Sequence, residues 1–198
     1  MTVASRALLV RSIQWARRLP VRARHGLPTA LVVEVPEAES VAGPLRAELD
    51  PAARAGIPAH ITVLSPFLSS RRLGASEMNR LTALFAAVPS FAFRLASLGS
   101  FPEVTYLAPT CPGSFVDLTE RTWREWPECP PFGGLFPEIV PHLTLADGPH
   151  DPAAVRAAVA PSLPVEAFAR GVTLLRQLPN GRWLAQGFFP FGPAVPAA

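Results

Sequence analysis

The sequence predicts a mixed fold of helices and strands, α/β or α+β, in which two lobes surround a shared cleft. Two observations lead to this prediction. Helical and strand-like segments alternate along both halves of the chain. In addition, a His-x-Thr motif flanked by apolar residues occurs at His60 to Thr62 and again at His142 to Thr144, 82 positions later. One motif in each half indicates a duplicated unit whose polar strand faces meet.

The first part of the chain predicts two strands separated by a helix. Residues 29–35 are rich in β-branched side chains and end before a proline, as a core strand would. Residues 40–49 place apolar side chains at helical spacing, and Asp50 and Pro51 begin a further helical turn. Residues 60–64 are the strand that carries the first motif.

The middle of the chain predicts two helices with a pair of strands between them. Residues 75–88 form an amphipathic helix that a proline ends. Residues 91–98 alternate apolar and polar side chains as a half-buried strand does, and residues 104–107 supply a short partner strand. A helix over residues 114–126 then leads into a Gly- and Pro-rich loop over residues 127–137.

The last part of the chain repeats the order of the first. The strand that carries His142 comes next, and Asp151 with Pro152 supplies the N-cap and the first turn of a short helix. Residues 165–175 and 183–189 predict a hairpin, because the segment between them contains Asn-Gly, a favoured turn sequence.

Basic residues are concentrated at the N-terminus. All 18 basic residues are arginines, and residues 1–27 contain six of them with no acidic residue. The rest of the chain has 12 arginines against 15 acidic residues. We therefore expect a basic extension over residues 1–27, a folded domain over residues 28–192 and a short tail over residues 193–198. Attraction of polyanions by positive charge is expected for the extension and not for the domain.

Composition and spacing argue against several classes of protein. No apolar run approaches the roughly 18 residues of a membrane-spanning helix. Cys111 and Cys129 have neither metal-ligand nor redox spacing, and no group of carboxylates or histidines is spaced to hold a metal ion. A hydrophobic content of 49% with 17% charged residues supports a sizeable core. We expect a cytoplasmic, monomeric protein that uses no metal and no cofactor.

The repeated motif is improbable as a coincidence. With 4 His and 10 Thr in 198 residues, about 0.2 His-x-Thr matches are expected by chance, and the chain has two. Alternate side chains on a strand share a face, so His60 and Thr62 should point away from the core. The alternative interpretation is that each histidine is an ordinary hydrogen-bonded residue at a strand edge.

Two imidazoles on either side of a phosphate can perform acid–base chemistry. With reference pKa values near 6.5, they can be held in opposite protonation states near neutral pH. One imidazole then takes a proton from the attacking hydroxyl or water, and the other gives a proton to the departing oxygen. The hydroxyls of Thr62 and Thr144 lie about 6.6 Å along each strand from the histidines and could bind the non-bridging phosphate oxygens. This chemistry requires no metal ion.

The paired motifs resemble those of the 2H (two-histidine) phosphoesterase superfamily, in the branch named for 2′-5′ RNA ligase and RNA 2′,3′-cyclic phosphodiesterase activity. The resemblance covers about residues 28 to 192. It includes several further segments in the same order, namely Gly-Ile-Pro-Ala-His-Ile-Thr at 56–62, Ser-Pro-Phe at 65–67, Phe-Pro-Glu-Val-Thr-Tyr-Leu-Ala-Pro at 101–109 and Gly-Arg-Trp at 181–183.

The resemblance implies an α+β fold of two pseudo-symmetric lobes, with sheets that line a central cleft and helices outside. It also implies metal-free hydrolysis of a 2′,3′-cyclic phosphate on an RNA end or a nucleotide, usually to a 2′-phosphomonoester. Its catalytic histidines correspond to His60 and His142, and its phosphate-binding hydroxyls to Thr62 and Thr144. RNA 2′-5′ ligase activity is the same chemistry run backward, so these residues do not separate ligase from hydrolase.

Three questions stay open in the sequence. Phe132 and Phe136, in the Gly- and Pro-rich loop, could stack on a base or pack under the loop. The same cleft could serve a non-catalytic module that binds a nucleotide or a phosphorylated ligand. The arginine-rich extension could be an organellar presequence, a helix on a membrane or on RNA, or a solvated terminus.

Overall fold

A computed structural model of the chain describes residues 26–194. The strands are β1 (Thr29–Glu34), β2 (His60–Leu64), β3 (Phe91–Phe101), β4 (Val104–Pro109), β5 (Leu143–Asp147), β6 (Val165–Ala169), β7 (Gly171–Gln177) and β8 (Trp183–Pro190). The helices are α1 (Glu39–Leu49), α2 (Pro51–Arg54), α3 (Ala75–Ala86), α4 (Pro112–Glu125) and α5 (Pro152–Val159), with 3₁₀ turns over Pro36–Ala38, Pro131–Gly134 and Ala160–Ser162. Most of the predicted extension and tail lies outside the described residues, so the domain boundaries remain predictions.

Two antiparallel sheets form the two lobes. Each sheet has four strands, in the order β2-β1-β7-β8 in the first and β5-β4-β3-β6 in the second. The strands that carry the two motifs, β2 and β5, are the edge strands of their sheets and contact each other. The motifs therefore meet where the two lobes join, and the predicted α+β fold of two lobes is confirmed.

A strand–helix–strand unit occurs twice. In each lobe an antiparallel pair, β1 with β2 or β4 with β5, is connected through a helix, α1 or α4. The helix of each unit packs against the motif strand of the other unit, α1 on β5 and α4 on β2. This reciprocal packing buries one continuous core between the sheets and the helices. It also fixes the two motif strands relative to each other.

Side-chain caps begin two of the helices as the sequence predicts. Asp50 precedes α2, and its carboxylate accepts a hydrogen bond from the backbone N–H of Ala52 at 2.8 Å. Asp151 caps α5 in the same way, through the N–H of Ala153 at 2.9 Å. Each carboxylate satisfies an N–H group that the first turn of a helix leaves without a partner. Among residues 26–194, no helix is long and apolar enough to cross a membrane.

One strand prediction is wrong. The sequence predicts a single strand over residues 165–175, but these residues form two strands in different sheets, β6 beside β3 and β7 between β1 and β8. The chain passes from one sheet to the other at Arg170. Both segments are largely buried, so the apolar run continues across the change and its period does not reveal it. As a result β7 and β8 complete the first lobe, and the lobes are not the two halves of the sequence.

Candidate active site

A cleft of about 540 Å³ opens where the two lobes join. The side chains of His60, Thr62, His142 and Thr144 all line this cleft. The structure thus brings together four residues that the sequence places in two segments far apart in the chain. Each lobe contributes one imidazole and one hydroxyl.

Strand β2 presents its polar side chains to the cleft. His60 and Thr62 are half-buried, whereas the alternating Ile61 and Val63 are 0% and 2% exposed and belong to the core. This alternation follows from the two-residue period of a strand. The histidine and the threonine therefore share one face, as the sequence predicts.

The second motif differs slightly from the first. The sequence places His142 within a strand, but β5 begins one residue later, at Leu143. Thr144 is paired with Tyr106 of β4 and is only 7% exposed. His142 thus lies just outside the hydrogen-bonded ladder that fixes the backbone of Thr144.

The two imidazoles are oriented by the same local hydrogen bond. Nδ1 of His60 lies 2.7 Å from the carbonyl oxygen of Pro58, and Nδ1 of His142 lies 2.7 Å from that of Val140. A carbonyl oxygen only accepts, so Nδ1 must be the protonated nitrogen in both rings. In the neutral form Nε2 is then an acceptor, and this nitrogen is left to exchange a proton with a ligand.

Burial keeps both imidazoles neutral. It lowers the pKa of His60 to about 3, assisted by the positive charge of Arg46 and by the neighbouring His142 and opposed by the bond to Pro58. Burial also lowers the pKa of His142, opposed by its bond to the Val140 carbonyl. A negative charge in the cleft would favour the imidazolium form and raise both pKa values.

Aromatic rings surround His142. The ring of Tyr106 lies 5.0 Å from the imidazole and that of Phe101 lies 5.3 Å from it, measured between centroids. Phe101 and Tyr106 are themselves 4.6 Å apart. These contacts with β3 and β4 hold the plane of the His142 ring. His60 instead lies near a charged side chain, that of Arg46.

The two loop phenylalanines lie beside the cleft. Phe132 lines it, and both Phe132 and Phe136 line an adjoining pocket of about 160 Å³ that also reaches Phe101 and His142. Their rings are 5.9 Å apart and nearly perpendicular. The backbone at Phe132 has a φ of 50°, in the left-handed region. They contact each other and remain half-buried.

Several residues around the cleft are not evident from the sequence. Trp183, which the sequence marks only as part of the Gly-Arg-Trp segment, forms part of the cleft wall together with Arg54 and Gln177. Behind the wall, Arg46 and Asp50 form an ion pair of 3.0 Å with exposures of 2% and 0%. Their separation of four positions, with Arg46 in the predicted helix over residues 40–49 and Asp50 directly after it, is a signal that could have indicated this pair. In the described part of the chain, no three His, Cys, Asp or Glu residues are grouped so that they could hold a metal ion.

Solved structures share this two-lobed fold. LigT of E. coli complexed with NADP+ matches with a TM-score of 0.54 and 18% identity, over 85% of this chain and 99% of LigT. The protein TT0787 of Thermus thermophilus matches with a TM-score of 0.56 and 21% identity, over 84% and 99%. A structure described as a phosphoesterase matches with a TM-score of 0.53 and 18% identity, over 84% and 99%. At these identities the likeness establishes the fold, which is that of the 2H phosphoesterases.

The family follows from the sequence match. The model of the 2′-5′ RNA ligase superfamily matches residues 33–181, a span that includes both motifs. This chain belongs to the 2′-5′ RNA ligase superfamily, and the resemblance found in its motifs is confirmed. None of the curated proteins matches the chain.

Proposed function

We propose that this protein hydrolyses the 2′,3′-cyclic phosphate of an RNA end or a nucleotide, with His60 and His142 as the general acid and the general base. Membership of the superfamily supports a phosphoesterase or ligase type of enzyme that acts on RNA or nucleotides. The observation that supports hydrolysis by two histidines is that two imidazoles, each with its Nε2 available, line one cleft.

The proposed reaction needs two proton transfers and no other reagent than water. Nε2 of one histidine removes a proton from water as the water oxygen forms a bond to phosphorus. The bond between phosphorus and O3′ breaks, and Nε2 of the other histidine donates its proton to O3′. The product is a 2′-phosphomonoester, and the two histidines exchange protonation states. Each proton transfer contributes typically about 10²–10⁴-fold to the rate.

The substrate itself supplies the charge that this cycle requires. Both imidazoles are neutral in the free protein because burial lowers the pKa of each ring. The cyclic phosphate carries one negative charge, which stabilises one imidazolium in the cleft. A second imidazolium is disfavoured because the two rings repel each other when both are charged, an interaction that also lowers the pKa of His60. One protonated and one neutral histidine is the combination that the reaction uses.

Thr62 and Thr144 are proposed to bind the non-bridging phosphate oxygens. Thr62 shares a strand face with His60, Thr144 lies two residues after His142, and both threonines line the cleft. Negative charge accumulates on these oxygens as water attacks, and a donor already in place stabilises it without reorganisation. The loss of such a donor costs about 10²–10³-fold in turnover in well-studied cases.

A base could occupy the aromatic pocket beside His142. We propose Phe132 and Phe136 as the residues that stack on it, because both line the 160 Å³ pocket that adjoins the cleft. Stacking of a base on an aromatic ring contributes about 1–3 kcal/mol and tolerates different bases. If a ribose hydroxyl replaces water as the nucleophile, the same groups would form a 2′-5′ linkage, so the reaction of the ligase type needs no further residue.

The experiment that tests this proposal compares three histidine variants. Purified wild-type protein, His60→Gln, His142→Gln and His150→Gln are incubated with the four 2′,3′-cyclic nucleotides and with RNA that ends in a cyclic phosphate. His150 is the matched control, since its ring bonds Thr105 and is not part of the cleft wall. The products are separated into 2′- and 3′-monoesters.

We expect turnover by the wild type and His150→Gln, with a loss of more than about 100-fold in each of the other two variants. Retention of more than a tenth of the activity in either cleft variant would contradict the two-histidine mechanism. Binding of the nucleotides by calorimetry without any product would instead favour the non-catalytic module. Inhibition by a chelator would show that a metal ion takes part.

A further inference from the structure

The segment of residues 57–59, just before His60, orients the imidazole. The Pro58 carbonyl accepts the hydrogen bond from Nδ1 of His60 at 2.7 Å, so the position of this peptide determines where Nε2 points. This segment precedes β2, which begins at His60. Strand pairing therefore does not fix its middle residue, Pro58. Backbone hydrogen bonds hold its outer residues, from the Ile57 N–H to the Ala52 carbonyl at 3.0 Å and from the Val35 N–H to the Ala59 carbonyl at 2.8 Å. The Ile57 carbonyl and the Ala59 N–H, which flank Pro58, are instead bonded by side chains.

Two charged side chains of α1 bond to this segment, one on each side of Pro58. A carboxylate oxygen of Glu39 accepts the N–H of Ala59 at 2.6 Å. The Nη2 of Arg46 donates to the carbonyl oxygen of Ile57 at 3.2 Å. Hydrogen bonds to charged groups are stronger than those between neutral groups, so the two contacts form a clamp on residues 57–59.

The arginine of this clamp is itself held rigidly. Nε and Nη2 of Arg46 lie 3.1 Å and 3.0 Å from one carboxylate oxygen of Asp50, and both residues are almost fully buried. The other oxygen of Asp50 caps α2. A buried ion pair is weak support for stability, because desolvation of both charges offsets their attraction. Its place beside the cleft, with Arg46 bonded to the Ile57 carbonyl, is consistent with a positional role.

We propose that Glu39 and Arg46 are positioning residues that hold residues 57–59 so that the Pro58 carbonyl aims Nε2 of His60 into the cleft. This inference deepens the proposed function and rests on it. The other histidine has a different support, since aromatic rings pack against His142. The two copies of the motif are thus held by different means.

Arg46 has a second effect on His60, through its charge. The charged and titratable groups that face His60 come from every element around it: Glu34 opposite it on β1, Glu39, Arg46 and Asp50 from α1 and its end, Arg54 of α2, and His142 and Asp147 across the cleft. Of these, Arg46 and His142 are the groups whose charge lowers the pKa of His60. Removal of the Arg46 charge should therefore raise that pKa.

The test separates the charge of Arg46 from the geometry of its bonds. Arg46→Lys keeps the charge but loses the forked pair of donors. The double variant Arg46→Met with Asp50→Asn removes both buried charges together, and the asparagine can still cap α2. Glu39→Ala removes the acceptor for Ala59, and Glu39→Gln restores a neutral acceptor. Glu120→Gln with Arg124→Met, an exposed pair at the same spacing on α4, is the matched control.

Two readouts are needed, the pH profile of turnover and the titration of His60 followed by NMR. We expect kcat to fall about tenfold or more in Arg46→Lys and Glu39→Ala, since small displacements of a reacting group cost rate, and to recover in Glu39→Gln. The double variant should also raise the pKa of His60 and move one limb of the pH profile upward with it. The α4 control should match the wild type in both readouts.

The result that would overturn the inference is wild-type turnover, an unchanged pH profile and an unchanged His60 titration in folded Arg46 and Glu39 variants. That outcome leaves the proposed function intact. If the wild type fails to turn over any cyclic phosphate, the proposed function fails instead. The NMR titration then still decides whether the clamp controls His60, because that measurement does not depend on catalysis.

Discussion

Substitution of His60 by glutamine should make the protein less sensitive to acid. The pKa of this histidine is about 3 in the folded protein against 6.5 for an ordinary histidine. Between these pH values the unfolded chain binds a proton at residue 60 that the folded protein excludes. As far as His60 is concerned, the free energy of unfolding is therefore greatest above pH 6.5 and decreases as the pH falls toward 3. Glutamine does not titrate, so this loss should disappear in His60→Gln.

The magnitude follows from the two pKa values. For one group that titrates near 6.5 unfolded and near 3 folded, the free energy of unfolding falls by about 2 kcal/mol between pH 7 and pH 5. This figure is an upper bound, because solvent reaches part of the imidazole and screens its charge. The effect is nevertheless a large fraction of the roughly 5–15 kcal/mol that stabilises a typical protein.

The assay is urea unfolding at pH 7 and at pH 5, in buffers free of phosphate and sulfate because these anions are ligands of the proposed phosphate site. The difference between the two unfolding free energies is compared for the wild type, His60→Gln and Thr62→Val. Thr62→Val changes a neighbouring cleft side chain that does not titrate. Its free energy of unfolding should therefore fall between pH 7 and pH 5 by as much as that of the wild type. An equal loss in His60→Gln would refute the conclusion that burial holds this imidazole neutral.

Two further predictions concern the surroundings of the histidines. A Cβ at Gly99 would meet the ring of Tyr106, which packs on His142, so Gly99→Ala should cost about 1–3 kcal/mol by urea unfolding and lower turnover. Gly113→Ala, which meets open space in α4, should leave both unchanged or add slightly to stability, and equal behaviour of the two variants would contradict the packing argument. Binding of sulfate, which does not itself titrate near pH 7, should make the protein take up protons, because the anion raises the lowered pKa values of His60 and His142. Calorimetry in two buffers of different ionisation enthalpy measures this uptake, and identical binding heats would exclude it.

The motif strand β2 could be predicted from the sequence because its information is local. Alternation of His60 and Thr62 with Ile61 and Val63 specifies which face is polar, and the structure buries the two apolar side chains. The repeated motif also indicates that two strand faces meet at one cleft. Contact between β2 and β5, the edge strands of two different sheets, is the topology that satisfies this requirement.

The features of the structure that the sequence does not predict depend on contacts between segments that are far apart in the chain. The strand boundary at Arg170 is hidden because both sides of it are buried in different sheets. The rings of Phe101 and Tyr106, which precede His142 by 41 and 36 positions, reach it only because β4 pairs with β5 and β3 pairs with β4. The Arg46 contact with Ile57 likewise requires α1 to pack under the loop before β2. No periodic pattern encodes these contacts.

The two His-x-Thr motifs place their imidazoles in different surroundings. The bond from Nδ1 to a carbonyl two residues earlier is the same in both, so the protein controls the tautomer of His60 and His142 by one local device. Their surroundings differ, since a buried arginine faces one ring and aromatic side chains face the other. A charge that disfavours the imidazolium form acts on His60 alone, so the two rings respond unequally when an anion enters. In the proposed reaction the acid and the base must differ when the protons move, and the unequal surroundings of His60 and His142 offer a difference that the symmetric motif lacks.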